Sequence, residues 1–328
     1  MATADQIRAL VESFGEADKE RFYRIALQVA AHEARQGHTR VAQQLRDAID
    51  EAQQKDSRGR RKKGPIPIAE PRGELEGVLS TSYPETRLRD MVLDAQTEET
   101  LRRLLKENRQ RHRLREHGLQ PRRKLLLVGP PGTGKTMTAR TLAGELQLPL
   151  FVVRFDSLIS RYMGETAAKL RLVFDAMETQ PGVYLFDEFD AVGTQRNRGD
   201  DLGEIRRVLN SFLQFIEADE TESLIIAATN HPEMLDRALF RRFDDVISYE
   251  LPDRDERIAT LKNYLAPFAT DSVDWNQAAE ESEGLSHADL QRAAQDAAKE
   301  MILSDEAQIE TDRLLQSIDN RHNHSYLT

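Results

Sequence analysis

The chain has 328 residues, 39% hydrophobic and 31% charged, with a formal net charge of -10 and no cysteine. That length leaves room for more than one domain and a substantial core, the lack of cysteine removes disulfides and thiol catalysis and fits a reducing compartment, and the acidic balance argues against a general nucleic-acid coat. No run is apolar for long enough to span a bilayer, and residues 1–30 alternate charged with apolar side chains instead of building a signal-peptide core, so a cytoplasmic protein without membrane association is expected.

Residues 5–54 place apolar side chains at helical spacing in runs around Leu10 and Phe14, around Phe22 and Ile25, and around Val41 and Leu45, with Gly15 and Gly37 as punctuation. This predicts a small helical accessory domain over residues 1–54, either an adaptor for a partner or an appendage that supports assembly. Within it His32-Glu33-Ala34-Arg35-Gln36 starts like a zinc-protease helix, but Gln36 stands where the second histidine is required, leaving a solvated helix face. Residues 55–87 read as a linker that opens with the basic cluster Arg60-Arg61-Lys62-Lys63 and continues through Pro65, Pro67 and Pro71. Such a cluster keeps a linker solvated more readily than it makes a nucleic-acid site. Residues 97–117 form a highly charged helical pattern with Leu101, Leu104, Leu105 and Leu114 on one face.

Lys124-Leu125-Leu126-Leu127-Val128 then reads as a buried parallel strand, Gly129-Pro130-Pro131-Gly132-Thr133-Gly134-Lys135-Thr136 as a loop, and the residues from Met137 to Leu146 as a helix. Gly129-x-x-x-x-Gly134-Lys135-Thr136 fits the phosphate-binding loop, in which backbone N–H groups converge on an anion at a helix N-terminus, a lysine reaches the β and γ phosphates and a hydroxyl helps to hold Mg²⁺. The strand before it and the helix after it supply the context that the motif demands.

A second strand is expected over Pro149–Phe155, followed by Tyr162-Met163-Gly164 and a helix through Met177. Gly182 to Phe186 is a third apolar strand, and it ends in Asp187-Glu188, where one carboxylate can hold Mg²⁺ through water and the next can orient or activate the attacking water. A helix from Leu202 to Ala218 and a strand from Leu224 to Ala228 lead to Thr229-Asn230, whose amide could position water against a γ-phosphate or simply start a turn. Leu235 to Asp244, which contains Arg241 and Arg242, runs into a last strand over Val246–Leu251 that Pro252 ends. The rest is helical, with a capping-box-like start at Ser286-x-x-Asp289 and a polar, disordered end around His322-Asn323-His324.

The order of these pieces over about residues 88–305 resembles the AAA ATPases, and within them the protein-remodelling branch of katanin, spastin, the FtsH-type proteases and the p97-like unfoldases. The resemblance implies an α/β P-loop NTPase subdomain over residues 88–252, with a parallel sheet flanked by helices, and an all-helical lid over 253–328. It implies ATP and Mg²⁺ as ligands, Gly129–Thr136 with Met137 and Asp187 around the phosphates, Glu188 as catalytic base, and Asn230 as a γ-phosphate sensor. Adenine is expected near Met91, Val92 and Leu93 and near Gly284 to Ala288 of the lid, where Ala288 occupies the place of a sensing arginine found in other AAA proteins. Members close into rings, usually hexamers, with arginines that reach a neighbour's nucleotide. Arg241 and Arg242 fall on that motif without the Pro-Gly that often separates them, and their simpler role is to pair with Asp244, Asp245 or nearby acids. Tyr162-Met163-Gly164 is similar to the pore loop that grips a translocating polypeptide, against the reading of a buried Tyr-Met pair. The function implied is an ATP-driven remodeller of protein substrates, and the alternative is an assembly switch that regulates a separate effector such as a protease or nuclease.

Overall fold

A computed structural model describes residue 75 and residues 77–154, 165–189, 202–235 and 237–325, all within the compact unit Ala69–Thr328. The helical domain expected over 1–54, the basic cluster, and Tyr162, Met163 and Gly164 lie outside the described residues.

Alternation along the strands produces two cores from one sheet. Strands β1 (Leu79–Ser82), β2 (Lys124–Val128), β3 (Leu150–Arg154), β4 (Val183–Asp187), β5 (Leu224–Thr229) and β6 (Asp245–Ser248) form a six-stranded sheet in the order β1-β3-β4-β5-β2-β6. β1 runs antiparallel to β3, and the other neighbouring pairs are parallel. Successive side chains of a strand point to opposite faces. Leu126, Val128, Tyr184, Phe186, Ile225 and Ala227 therefore join one core, and Leu125, Leu127, Val183, Leu185, Ile226 and Ala228 the other. Burial on both faces explains why these strands read as unbroken apolar runs.

Helices α1 (Ala95–Arg109) and α2 (Arg111–Glu116) precede β2, α3 (Lys135–Leu146) follows it, α4 (Glu165–Thr179) and α5 (Leu202–Ala218) flank β4, and the short α6 (Arg237–Phe240) precedes β6. The first core is closed by Leu170, Val173, Phe174 and Met177 of α4 and by Phe212 and Ile216 of α5. Its centre is aromatic, with the Phe186 and Phe212 rings in edge-to-face contact at 4.9 Å. The second core is closed by Leu101, Leu104 and Leu105 of α1 and by Ala139, Leu142 and Ala143 of α3. Each fully buried leucine contributes about 1.5–3 kcal/mol, so the narrow leucine face holds α1 in place despite its charged exterior. The charged run expected over 97–117 is interrupted at Gln110, whose φ of -107° and ψ of 21° leave the helical region.

The lid consists of α7 (Arg254–Leu265), α8 (Trp275–Glu281), α9 (His287–Leu303) and α10 (Thr311–Ser325). Its third core gathers Leu261, Leu265, Leu290, Met301, Leu314 and Ile318 around the alanines of α9, whose small side chains let the flanking helices approach closely. Asp253 with Glu256 and Ser286 with Asp289 form capping boxes at α7 and α9. These pairs satisfy N–H groups that the first helical turn leaves without intrahelical partners.

Two expectations are corrected. The stretch read as linker to residue 87 contains β1, whose four residues at a sheet edge are too few to show a period. The polar end read as disordered is the last part of α10, and His322 Nε2 donates to the Glu281 carbonyl at 2.9 Å.

Gly144 of α3 marks where residues 84–86 press on the helix. Arg87 donates to its carbonyl, and a Cβ added there would sit 2.3 Å from the Thr86 carbonyl oxygen. Alanine favours a helix over glycine by about 1 kcal/mol, yet here the backbone contact decides the sign. Gly144→Ala is expected to lower the urea midpoint by the equivalent of about 1–3 kcal/mol; an unchanged or higher midpoint would show that residues 84–86 yield freely.

Candidate nucleotide site

Three parallel strands end at one edge of the sheet, and the chain continues from each into a segment that the sequence marks as a candidate for nucleotide binding. Val128 of β2 is in register with Thr229 of β5, and Phe186 of β4 with Ala227. The ladder runs past the strand ends, because Gly129 N–H donates to the Thr229 carbonyl at 3.3 Å and Phe189 N–H to the Ala228 carbonyl at 2.9 Å. Gly129, Glu188 and Asn230 therefore leave the sheet from fixed neighbouring points. This convergence at the carboxyl edge is where open α/β sheets bind ligands.

The loop from Gly129 to Gly134 wraps the N-terminus of α3, with Gly134 as the residue before the first helical turn. Lys135 is largely buried, and its ammonium donates to the carbonyls of Gly129 and Pro130, each at 2.7 Å. That holds a positive charge at the mouth of the loop. Thr136 Oγ1 donates to Asp187 Oδ2 at 2.8 Å, across 51 residues of sequence. Glu188 is exposed and its backbone has a φ of +53°, sparsely populated for a side chain of this kind, with its N–H donating to Asp187 Oδ1 at 3.0 Å. The turn points one carboxylate at the loop hydroxyl while the next leaves for solvent, at the local cost of about 1–3 kcal/mol typical of such backbone.

Gly132 has a φ of +76°, and a Cβ there would meet Ser286 Oγ at 2.3 Å. Only glycine satisfies both the conformation and the close approach of the lid. Ala288 N–H donates to the Gly132 carbonyl at 3.0 Å, so the start of α9 is bonded directly to the phosphate loop. A glycine-rich loop at a helix N-terminus, a buried lysine at its mouth and a hydroxyl–carboxylate pair beside it fit a nucleoside triphosphate.

Asn230 follows β5 at the same edge. Arg242 forms an ion pair with Glu217 of α5, whereas Arg241 is exposed and has no ion-pair partner among the described residues. Arg242 thus pairs with a nearby acid, but neither arginine pairs with Asp244 or Asp245: Asp245 bonds Arg122 at 2.8 Å, and Asp244 accepts from the N–H groups of Arg123 and Lys124 at 2.8 and 2.9 Å.

Two adjoining cavities flank the loop, sharing Val92, Thr133 and His287. The smaller is lined by Met91, Val92, Gly134 and Met137 from the α/β part and by Thr260, Asn263, Tyr264 and His287 from the lid. Val92 and Met137 thus stand in it, while Ala288 touches the site through its N–H and its proximity to Gly132. Burial pushes the His287 imidazole below its ordinary range, which keeps the ring neutral at neutral pH. His287 lies within the Gly284–Ala288 stretch expected near adenine, whereas Thr260 escaped sequence reasoning, since no motif ties it to a loop over a hundred positions upstream and only the packing of α7 beside α9 brings it there.

Lys135→Ala is expected to weaken nucleotide binding by about two orders of magnitude, because a buried charge-assisted set of bonds to phosphate is lost. Calorimetric titration measures this, and unchanged affinity would remove the loop from the binding site.

The family model described as ATPase family associated with various cellular activities (AAA) matches residues 125–251. An uncharacterized AAA family ATPase of Sinorhizobium fredii, y4kL, is 37% identical over 313 residues, covering 94% of this chain and 92% of the relative. The chain is also similar to ATP-dependent zinc metalloproteases. FtsH 3 of Sphaerobacter thermophilus is 36% identical over 234 residues, 69% of this chain and 48% of that protein. FtsH of Marinobacter nauticus is 42% identical over 185 residues, 53% of this chain and 29% of that protein. The chain spans less than half the length of these FtsH relatives. With a relative aligned over nearly its whole length and a family match that contains every segment converging at the sheet edge, the chain belongs to the AAA ATPase family, and ATP hydrolysis is its reaction.

Proposed function

We propose that this chain is a protein-remodelling ATPase that works as a ring of identical copies. The observation that carries the assembly is the contrast between the two arginines: Glu217 holds Arg242 within the chain, and Arg241 is left exposed beside it. Arg241 is then the residue offered to a neighbouring copy's γ-phosphate. The action on proteins is supported by the similarity to FtsH proteases and by Tyr162-Met163-Gly164, which lies in the segment between β3 and α4.

In this reading Lys135 and the loop N–H groups bind the phosphates, and Asn230 holds the γ-phosphate end from β5. Thr136 Oγ1 and the Asp187 carboxylate are hard oxygen ligands that suit Mg²⁺, which when bound neutralises phosphate charge. Glu188 orients a water toward the γ-phosphorus and accepts its proton. Arg241 of the next copy stabilises the charge that develops on the transferring group, a contribution of about 10³–10⁵ in rate for such arginines. Tyr162 and Met163, with Gly164, grip the polypeptide that the cycle moves.

Mixing two inactive variants tests the arrangement. Glu188→Gln is expected to bind ATP but hydrolyse it very slowly, and Arg241→Ala to bind ATP while turnover falls by about 10³-fold. Together they create interfaces at which an intact Glu188 faces an intact Arg241, so activity should return in part and rise with protein concentration. Arg242→Ala should cost far less, since an exposed ion pair contributes about 0–1 kcal/mol. A mixture that stays inactive although the variants co-assemble would end the trans assignment. For remodelling, unfolded polypeptide should stimulate the wild-type ATPase and Tyr162→Ala should abolish that stimulation; stimulation by one folded partner alone would make the protein an assembly switch instead.

A further inference from the structure

One residue reaches both ends of the phosphate loop. Tyr249 directly follows β6 and is buried, and its N–H donates to the Val128 carbonyl at 2.7 Å, which carries the pairing with β2 past the strand end. Its own carbonyl lies against the first glycine of the loop: a Cβ added to Gly129 would sit 2.2 Å from that oxygen. Its phenol leads the other way, into α3. The Tyr249 and Thr138 hydroxyl oxygens are 2.6 Å apart, and the Thr138 side chain is fully buried.

The direction of that bond follows from the protons present. A threonine hydroxyl has one hydrogen to give, and Thr138 Oγ1 donates it to the Gly134 carbonyl at 3.2 Å, so the phenol is the donor to Thr138. Burial pushes the Tyr249 phenol above its ordinary range, which keeps that proton in place. The result is a relay from the Tyr249 O–H through Thr138 Oγ1 to Gly134, the last glycine of the loop, whose carbonyl also accepts the Thr138 N–H at 2.8 Å. Linked hydrogen bonds in a buried setting strengthen one another, so the relay holds Gly134 more firmly than its longest member alone would.

Resting on the phosphate-loop reading above, we infer that Tyr249 is a positioning residue for the nucleotide, setting the loop by main chain at Gly129 and by the Thr138 relay at Gly134. A loop that binds phosphate through consecutive backbone N–H groups depends on the angles at which they converge, and those angles are fixed when both ends are fixed. Tyr249 needs no contact with phosphate for this. Its hydroxyl acts through Thr138, and its backbone acts on Gly129 directly.

Tyr249→Phe removes the donor and keeps the ring and the main-chain contacts. In the full-length protein, well below its melting temperature, the Kd for ADP by calorimetry should rise about fivefold, the equivalent of one net hydrogen bond. KM for ATP should rise by the same factor with little change in kcat, since loop donors hold the phosphates in the ground state and the transition state alike. Thr138→Val cuts the relay at its middle, and in that background Tyr249→Phe should add less than about twofold, because the phenol then has no acceptor through which to act. An unchanged Kd in Tyr249→Phe, with or without a lower melting temperature, would overturn the inference and leave the hydroxyl a packing feature. So would a loss of about fivefold on adding Tyr249→Phe to Thr138→Val, which would show that the two residues act independently. Lys135→Ala separates the inference from the reading beneath it. Wild-type ADP affinity in Lys135→Ala would sink the loop reading and the inference together, whereas weakened binding there with wild-type binding in Tyr249→Phe would sink the inference alone.

Discussion

Parallel pairing of β4, β5 and β2 is the constraint on which the rest of the molecule depends. Strands that run the same way deliver their carboxyl ends to one edge, and here those ends lead into Asp187, Asn230 and Gly129. A slip of one residue in β4 would exchange its two faces, sending Tyr184 and Phe186 into the wrong core. The aromatic packing around Phe212 thus protects the register as well as the fold, and the 2.8 Å bond between Thr136 and Asp187 is the visible result at the site.

Backbone geometry does much of the positioning that side chains are usually credited with. The ladder bonds of Gly129 and Phe189 continue beyond the regular strands, so each loop begins from an anchored residue. The left-handed backbone of Glu188 separates two adjacent carboxylates into different directions. Catalytic groups held by rigid elements need little reorganisation when charge develops, which is where enzymes gain most from electrostatics.

Sequence patterns revealed most of this arrangement because the signals were dense. Unbroken apolar runs ending in Gly129 and in Asp187 identified buried parallel strands, and glycine spacing identified the loop between β2 and α3. β1 gave no such signal: it has four residues, exposed on alternate positions, and it is a strand only because β3 offers an edge to pair with. The difference between Arg241 and Arg242 was equally hidden, since it depends on Glu217 of α5 standing beside one of two identical neighbours. Thr260 was out of reach for the same reason, being a residue of ordinary type whose place in the cavity comes from the packing of α7 beside α9.

The bond from Ala288 N–H to the Gly132 carbonyl joins the lid to the loop by main chain alone. Its strength, about 0.5–1.5 kcal/mol net, owes nothing to the identity of the side chain at 288. Sensing by a side chain and mechanical attachment of the lid are therefore separable in this fold. Position 288 is free to lose a charged group and keep its grip on the loop, and among the standard residues only proline, which lacks the N–H, would break that attachment outright.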